Sequence, residues 1–147
     1  TDWLVEKATE LGVARLQPVI TARTIVERVR SDRLETIAIE AAEQCLRTTV
    51  PLIAEPIPLM RFLATRDPAR RLFFADESGG TPAVNAFVAG PADLLTGPEG
   101  GFTEEERSAI LGAPGTTAIS LGPRILRAET AALAAVTSYM VLAGDWR

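Results

Sequence analysis

Short β-prone apolar runs alternate with helix-like runs from one end of the 147-residue chain to the other, and few folds accommodate that order. Helices are expected over Asp2–Leu11, with apolar residues at 3, 4, 8 and 11 ahead of Gly12, and over Arg33–Leu46. The second carries Leu34, Ile37, Ala38, Ala41, Ala42 and Cys45 on one stripe. Further helices are expected over Pro58–Thr65, Pro82–Val88 and Thr103–Leu111, and a long apolar one over Leu126–Leu142. Strands are expected over Leu16–Thr21, Pro51–Ala54, Arg71–Asp76, Asp93–Thr96 and Thr117–Leu121. Parallel strands need crossovers, which helices supply. The order therefore predicts an α/β fold: a mostly parallel sheet with helices on both faces. Ligands of such sheets bind beyond the carboxyl ends of strands. That directs attention to the loops after Ala75, Thr96 and Leu121.

Composition removes several chemistries. Histidine is absent, which excludes Ser-His-Asp and Cys-His catalysis and the usual imidazole metal sites. No metal is expected. One cysteine, Cys45, allows no internal disulfide, so a reducing compartment, the cytoplasm, is expected. No apolar run approaches a membrane span and no charged-then-apolar stretch is present, so neither a membrane span nor a signal peptide is expected. Thr1 stands where an initiator Met would, so an upstream part is expected. Residues 1–73 carry 11 basic and 10 acidic side chains, whereas 74–147 carry 4 and 9, within an overall charge of −4. A free-standing nucleic-acid binder is usually basic, so any such role must rest on a local patch or on another region. Fourteen of the 15 basic residues are Arg, which suits bidentate phosphate contact.

Three motifs carry candidate chemistry. Leu95-Thr96-Gly97-Pro98-Glu99-Gly100-Gly101-Phe102-Thr103 places three glycines in five residues after a strand, letting backbone approach a ligand closely. It is neither a Walker A loop nor a dinucleotide fingerprint, and a tight strand-to-helix turn is the plain alternative. Leu121-Gly122-Pro123-Arg124-Ile125-Leu126-Arg127-Ala128-Glu129 crowds two arginines and an acid at the start of an apolar helix. Arg127 is electrostatically unfavourable there, although a surface pair with Glu129 would account for both residues. Glu40, Glu43, Gln44 and Arg47 share a helix face, for which a solvated, salt-bridged surface is the plainer reading. Arg23, Arg28, Arg30 and Arg33 cluster in an irregular stretch that either tracks phosphates or is a solvated loop.

In chain order, Glu10-Leu11-Gly12-Val13, then Pro18, Thr21 and Arg23, then Glu40-Ala41-x-Glu43-Gln44-x-x-Arg47 precede Gly97-Pro98-Glu99-Gly100-Gly101-Phe102. Leu121-Gly122-x-Arg124-Ile125-Leu126-Arg127-x-Glu129-Thr130-Ala131 closes the series. Together they resemble the ribosomal RNA small subunit methyltransferase E family of the SPOUT superfamily, over essentially the whole chain. The last two blocks in tandem are the specific ones. The resemblance implies an S-adenosylmethionine-dependent enzyme that methylates N3 of a uridine in 16S ribosomal RNA, on the small ribosomal subunit. It also implies a carboxyl-terminal trefoil knot, which pattern reasoning alone would exclude, and an obligate homodimer. A single domain over 1–147 is expected. The amino-terminal, PUA-type RNA-binding barrel that the family carries ahead of it is absent from this chain.

Matching by motif places the cofactor on Leu95, Thr96, Gly97, Pro98, Glu99, Gly100 and Gly101. It adds Leu121, Gly122, Arg124, Ile125 and Leu126, with the loop after Phe74 as a third wall. The implied reaction must remove the N3 proton and stabilise negative charge on O2 and O4. Arg127 and Arg124 can donate to those oxygens, and Glu129 can accept the proton or orient Arg127. The base must also leave its RNA stack, with Arg23, Arg28, Arg30, Arg33 and Arg47 as candidate RNA contacts. The first helix around Trp3 and the last around Tyr139 and Met140 offer apolar surface for a dimer interface. A relative that methylates another base or a ribose 2′-hydroxyl, and a non-catalytic nucleotide- or RNA-binding module of a ribosome assembly factor, are the alternatives.

Overall fold

A computed structural model describes residues 1–24 and 29–147. The chain runs α1 (Asp2–Leu11), β1 (Arg15–Leu16), β2 (Val19–Ile20), α2 (Ser31–Gln44), β3 (Leu52–Ile53), β4 (Ile57–Pro58) and α3 (Leu59–Thr65). It continues through β5 (Arg71–Ala75), β6 (Thr81–Pro82), α4 (Ala83–Ala86), β7 (Ala92–Leu95), α5 (Glu104–Gly112), β8 (Thr116–Ser120) and α6 (Ala128–Leu142). Every strand pair among the described residues is parallel, as the alternation requires.

Four strands form the main sheet in the order β6-β8-β5-β7. Successive side chains of β5 point to opposite faces, and both faces are covered, so Leu72, Phe73 and Phe74 are all buried. Leu72 and Phe74 pack with Leu59, Leu95 and Ile110 under α3 and α5. Phe73 packs on the other face with Ala83, Phe87, Ile119 and Ala143, where Tyr139 also leans in. A third cluster, Val5, Leu34, Ala38 and Ile53, joins α1 and α2 to the short strands before the main sheet. The last strand, β8, lies inside the sheet, between β6 and β5.

Differences from the sequence reading have local causes. The expected strand Leu16–Thr21 is broken at Gln17 and Pro18, because proline has no N–H for a ladder. The Gln17 side-chain amide donates instead to Glu55 O at 2.7 Å. Pro58 and Pro82 end the two-residue strands β4 and β6 and serve as N-caps for α3 and α4. Helix α1 has its expected bounds and ends at Gly12, whose φ of 101° only glycine adopts readily. Helix α2 starts two residues earlier than expected and α6 two residues later.

The end of α2 is strained. Leu46 is the only non-glycine residue with positive φ among the described residues, at 64°. The Arg47 N–H donates to Ala42 O at 2.9 Å and the Leu46 N–H to Glu43 O at 3.3 Å, a closure that normally uses glycine. The Leu46 side chain is 87% exposed, so little burial offsets the strain. Leu46→Gly is expected to stabilise the domain by about 0.5–1 kcal/mol. A thermal midpoint raised by roughly 2–4 °C would register it; a lowered midpoint would mean that the leucine side chain contributes packing.

Candidate functional site

The three loops singled out by sequence follow β5, β7 and β8, which are adjacent and parallel in the sheet. Their carboxyl ends therefore open on one edge. Strands sit about 4.8 Å apart, which puts the loops after β7 and β8 on either side of the β5 loop, roughly 10 Å from each other. The fold thus gathers the two most specific sequence blocks around the expected third wall.

The loop after β7 is built on close backbone contact. A Cβ on Gly97 would lie 2.9 Å from the Phe102 ring, and one on Gly100 would lie 3.1 Å from the Arg23 Cβ. Gly101 has a φ of 72°, and its N–H donates to Pro98 O at 2.9 Å. Phe102 packs edge-on against Phe74, centroids 5.4 Å apart, so the loop is anchored to the sheet core. Leu95 is buried, Thr96, Gly97, Pro98 and Gly101 are half-buried, and Glu99 and Gly100 are exposed.

Helix α5 starts on a full capping box, as Thr103 three residues before Glu106 requires. Thr103 Oγ1 accepts the Glu106 N–H at 3.1 Å, and Glu106 Oε1 accepts the Thr103 N–H at 3.0 Å. Glu106 is nevertheless buried, and its second oxygen accepts the Ala22 N–H at 3.1 Å. Burial pushes this carboxyl upward. The N–H donations from Thr103 and Ala22, with the Thr103 hydroxyl and the Arg23 charge, outweigh it and hold the carboxyl below its ordinary value.

The linkage follows from that sign. A carboxylate with a depressed folded value contributes stability that is complete above its unfolded value of 4.5 and is lost as pH falls through the folded one. Glu106→Gln is expected to flatten the acid limb of the stability curve below pH 4.5. At neutral pH it should cost about 1–3 kcal/mol, because an amide N–H would then face the Ala22 N–H. Denaturant titrations from pH 7 downward check it; identical acid limbs in the two proteins would contradict it.

The next residue, Arg107, fixes the neighbouring loop. Its Nε and Nη2 reach Asp76 Oδ2 at 2.9 and 2.8 Å. Asp76 Oδ1 accepts the Ser78 N–H at 3.0 Å, shaping the turn after β5. Paired with the Asp76 carboxylate, Arg107 is pushed still further up. Glu106 and Arg107 thus pin the segments on both sides of the glycine-rich loop. Sequence reading missed Glu106, Arg107 and Asp76 as site-shaping residues; the capping-box spacing was the one local signal, and it identifies only half of Glu106's contacts.

The loop after β8 turns at Gly122, where φ is 110°, with the Ser120 hydroxyl accepting the Gly122 N–H at 3.3 Å. Leu121 and Leu126 are half-buried, while Arg124 and Arg127 are exposed and Ile125 is 83% exposed. Arg127 is the N-cap residue of α6, and among the described residues it forms no ion pair. The surface pair with Glu129 is therefore not made.

The arginines do not form one surface. Arg28 lies outside the described residues. Arg30 pairs with Asp32 at 3.4 Å and Arg33 with Asp2, all four side chains largely exposed. Arg23 turns to the glycine-rich loop, where Nη1 donates to Gly100 O at 3.1 Å and Phe102 O at 3.4 Å. Arg47 turns inward and donates to Thr9 O at 2.8 Å and Val13 O at 3.1 Å. The carbonyls at the end of α1 need donors, so this guanidinium is occupied by protein and is not a free phosphate contact. Glu40, Glu43 and Gln44 are exposed, the solvated face that the spacing favoured, but the expected salt bridges on it are not made among the described residues, because Arg47 is turned onto the α1 carbonyls. Cys45 is a half-buried C-cap residue of α2. Tyr139, expected at an interface, packs against Phe87 and donates its hydroxyl to Gly90 O.

Among the described residues no cluster of His, Cys, Asp and Glu is placed to hold a metal ion, and no helix is long and apolar enough to cross a membrane.

A family model for the RNA methyltransferase domain matches residues 1–140. The chain is 34% identical to ribosomal RNA small subunit methyltransferase E of Bacillus subtilis, covering 93% of this chain and 59% of that protein. It is 32% identical to the protein of that name from Rickettsia conorii, covering 94% and 58%. The chain thus spans about three-fifths of the length of these relatives. Among solved structures it is similar to the Neisseria gonorrhoeae methyltransferase E bound to S-adenosyl methionine, with a TM-score of 0.88 and 36% identity over 99% of this chain and 62% of that one. A Legionella pneumophila chain solved with bound cofactor SAM gives 0.83 and 32% over 95% and 60%. The match over residues 1–140, together with identities above 30% over nearly the whole chain, shows that it belongs to the RNA methyltransferase domain family, alongside the ribosomal RNA small subunit methyltransferases E.

Proposed function

We propose that this chain is the cofactor-binding, catalytic domain of an enzyme that methylates N3 of a uridine in 16S ribosomal RNA, using S-adenosylmethionine. The observation that carries the reading is the convergence of its two specific sequence blocks at the ends of adjacent parallel strands, in a fold shared with a chain solved with that cofactor bound. The residues present fit an adenosyl group. Adenine and ribose need apolar walls and backbone donors and acceptors at close range. Leu121, Ile125 and Leu126 offer the walls, and the loop Leu95–Gly101 with Gly122 offers the backbone. Bound there, S-adenosylmethionine supplies an electrophilic methyl group.

This chain's own residues must then handle the uridine. N3 becomes a nucleophile only when its proton leaves and negative charge spreads to O2 and O4. Arg127, exposed and without an ion pair among the described residues, can donate a guanidinium pair to those oxygens. Arg124 lies three residues away in the same exposed loop and can assist. Glu129, on the first turn of α6, can accept the proton or orient Arg127. Arg30 and Arg33 hold only exposed, solvent-screened ion pairs, so phosphates can exchange with their partners.

The assembly belongs to the same proposal. Helix α6 is apolar along its length, yet only Ala135 is fully buried, while Val141 and Leu142 remain exposed, as do Trp146 in the turn after it and Trp3 on α1. This supports a homodimer. The inner position of β8, the last strand, supports the trefoil knot. An upstream RNA-binding barrel would account for the remaining length of the relatives and for the −4 charge of this chain. The setting proposed is the cytoplasm, where ribosomal subunits are assembled. Titration calorimetry with S-adenosylhomocysteine and with ATP tests the cofactor reading. Binding of the first alone supports it; binding of ATP alone would replace it with a nucleotide-binding module.

A further inference from the structure

The turn Thr21–Thr24 is far in sequence from the glycine-rich loop yet is joined to that loop, to Phe102 at its end and to the helix α5 that follows by three hydrogen bonds. Arg23 Nη1 donates to Gly100 O and Phe102 O, separated from it by 77 and 79 positions. The Ala22 N–H donates to Glu106 across 84 positions. The turn is itself locked. The Thr21 N–H donates to Thr24 Oγ1 at 2.9 Å, and the two threonine hydroxyls lie 2.8 Å apart. Gly100 sits so close to the Arg23 stem that a Cβ there would meet Arg23 Cβ at 3.1 Å. A loop with three glycines has unusual backbone freedom, and holding it in one shape before a ligand arrives reduces the entropy cost of binding.

We propose that Arg23, with the peptide N–H of Ala22, positions the Gly97–Gly101 loop for the cofactor, so that the Thr21–Thr24 turn is a strut of that site. Arg23 acts through the loop backbone and is a positioning residue. The inference rests on the cofactor reading above.

The test measures S-adenosylhomocysteine affinity by calorimetry for the wild-type chain, Arg23→Ala, Arg23→Lys and Arg61→Ala, with thermal midpoints for each. Arg61 is exposed and controls for the lost charge. Arg23→Ala is expected to weaken binding about five- to tenfold, as loss of charged hydrogen bonds to a flexible loop implies, while its midpoint and the Arg61→Ala affinity stay at wild type. Arg23→Lys should recover part of the loss, since an ammonium can still reach Gly100 O. Equal affinities for wild type and Arg23→Ala would overturn the positioning role and leave the cofactor reading intact. So would weakened binding explained by a fall in the folded fraction. A wild-type chain that binds no S-adenosylhomocysteine would overturn the cofactor reading itself, and the strut with it. Glu106→Gln provides a second arm: it breaks the Ala22 link from the other side without removing any cation, and the affinity of its folded molecules, corrected for the lost stability, should fall; an unchanged corrected affinity would count against the Ala22 part of the strut.

Discussion

Arg127→Ala is expected to lower the methylation rate constant by about 10²–10³-fold, the loss seen when one donor to a developing oxyanion is removed. Its effect on stability should be small and favourable. Arg127 is exposed, has no ion pair among the described residues, and occupies the N-cap of α6, where a positive charge faces the positive end of the helix. Removing it relieves that repulsion by about 0.3–1 kcal/mol. Few substitutions separate catalysis from folding so cleanly. A slower enzyme with an unchanged or raised midpoint is the expected pair of results. Single-turnover rates with excess enzyme and cofactor isolate the chemical step from RNA binding. A near wild-type single-turnover rate would remove Arg127 from the reaction and shift attention to Arg124.

Phe74→Ala should have the largest effect on stability, about 3–5 kcal/mol. Phe74 is buried in the cluster with Leu59, Leu72, Leu95 and Ile110, and the sheet around it cannot collapse without breaking the pairing of β5 with β7 and β8. The ring also supports Phe102 edge-on, and Phe102 in turn sits against Gly97. Cofactor affinity, corrected for the folded fraction, should therefore fall together with stability. Phe73→Ala provides the comparison. Phe73 is equally buried but faces Phe87 and Tyr139 on the opposite side of the sheet. It should cost similar stability while leaving the affinity of the folded molecules unchanged. Equal losses of affinity in the two variants would contradict the proposed route from core to loop.

What could be read from the sequence, and what could not, divides by the range of the interactions. Local signals were sufficient for α1, whose apolar spacing and terminal Gly12 gave its bounds; the Thr103–Glu106 capping box of α5 has a local spacing that could have been read but was not. The loops after β5, β7 and β8 followed from alternation, because parallel strands bring their carboxyl ends together. The strand interruption at Gln17 and Pro18 could have been foreseen from the missing proline donor; the replacement by a side-chain amide reaching Glu55 could not. The inner position of β8 has no local signature at all. Nor do the contacts that shape the candidate site. Arg23 reads as one of four clustered arginines, and only the folded chain shows its guanidinium on Gly100 and Phe102. Arg47 shares a helical spacing with Glu40 and Glu43, yet the chain leaves the helix just before it and turns it onto the end of α1. Asp76 and Arg107 lie 31 positions apart and meet because α5 packs on the face of the sheet that β5 carries, in one core cluster.

The central claim is that the loops after β5, β7 and β8 bring a methyl donor to a uridine nitrogen. It is tested most directly by incubating the protein with 30S subunits and isotope-labelled S-adenosylmethionine, then digesting the 16S RNA and identifying the labelled nucleoside by mass spectrometry. The account predicts label in 3-methyluridine at a single site, with the signal reduced about 10²–10³-fold by Arg127→Ala. Label on a ribose oxygen or on another base would contradict it.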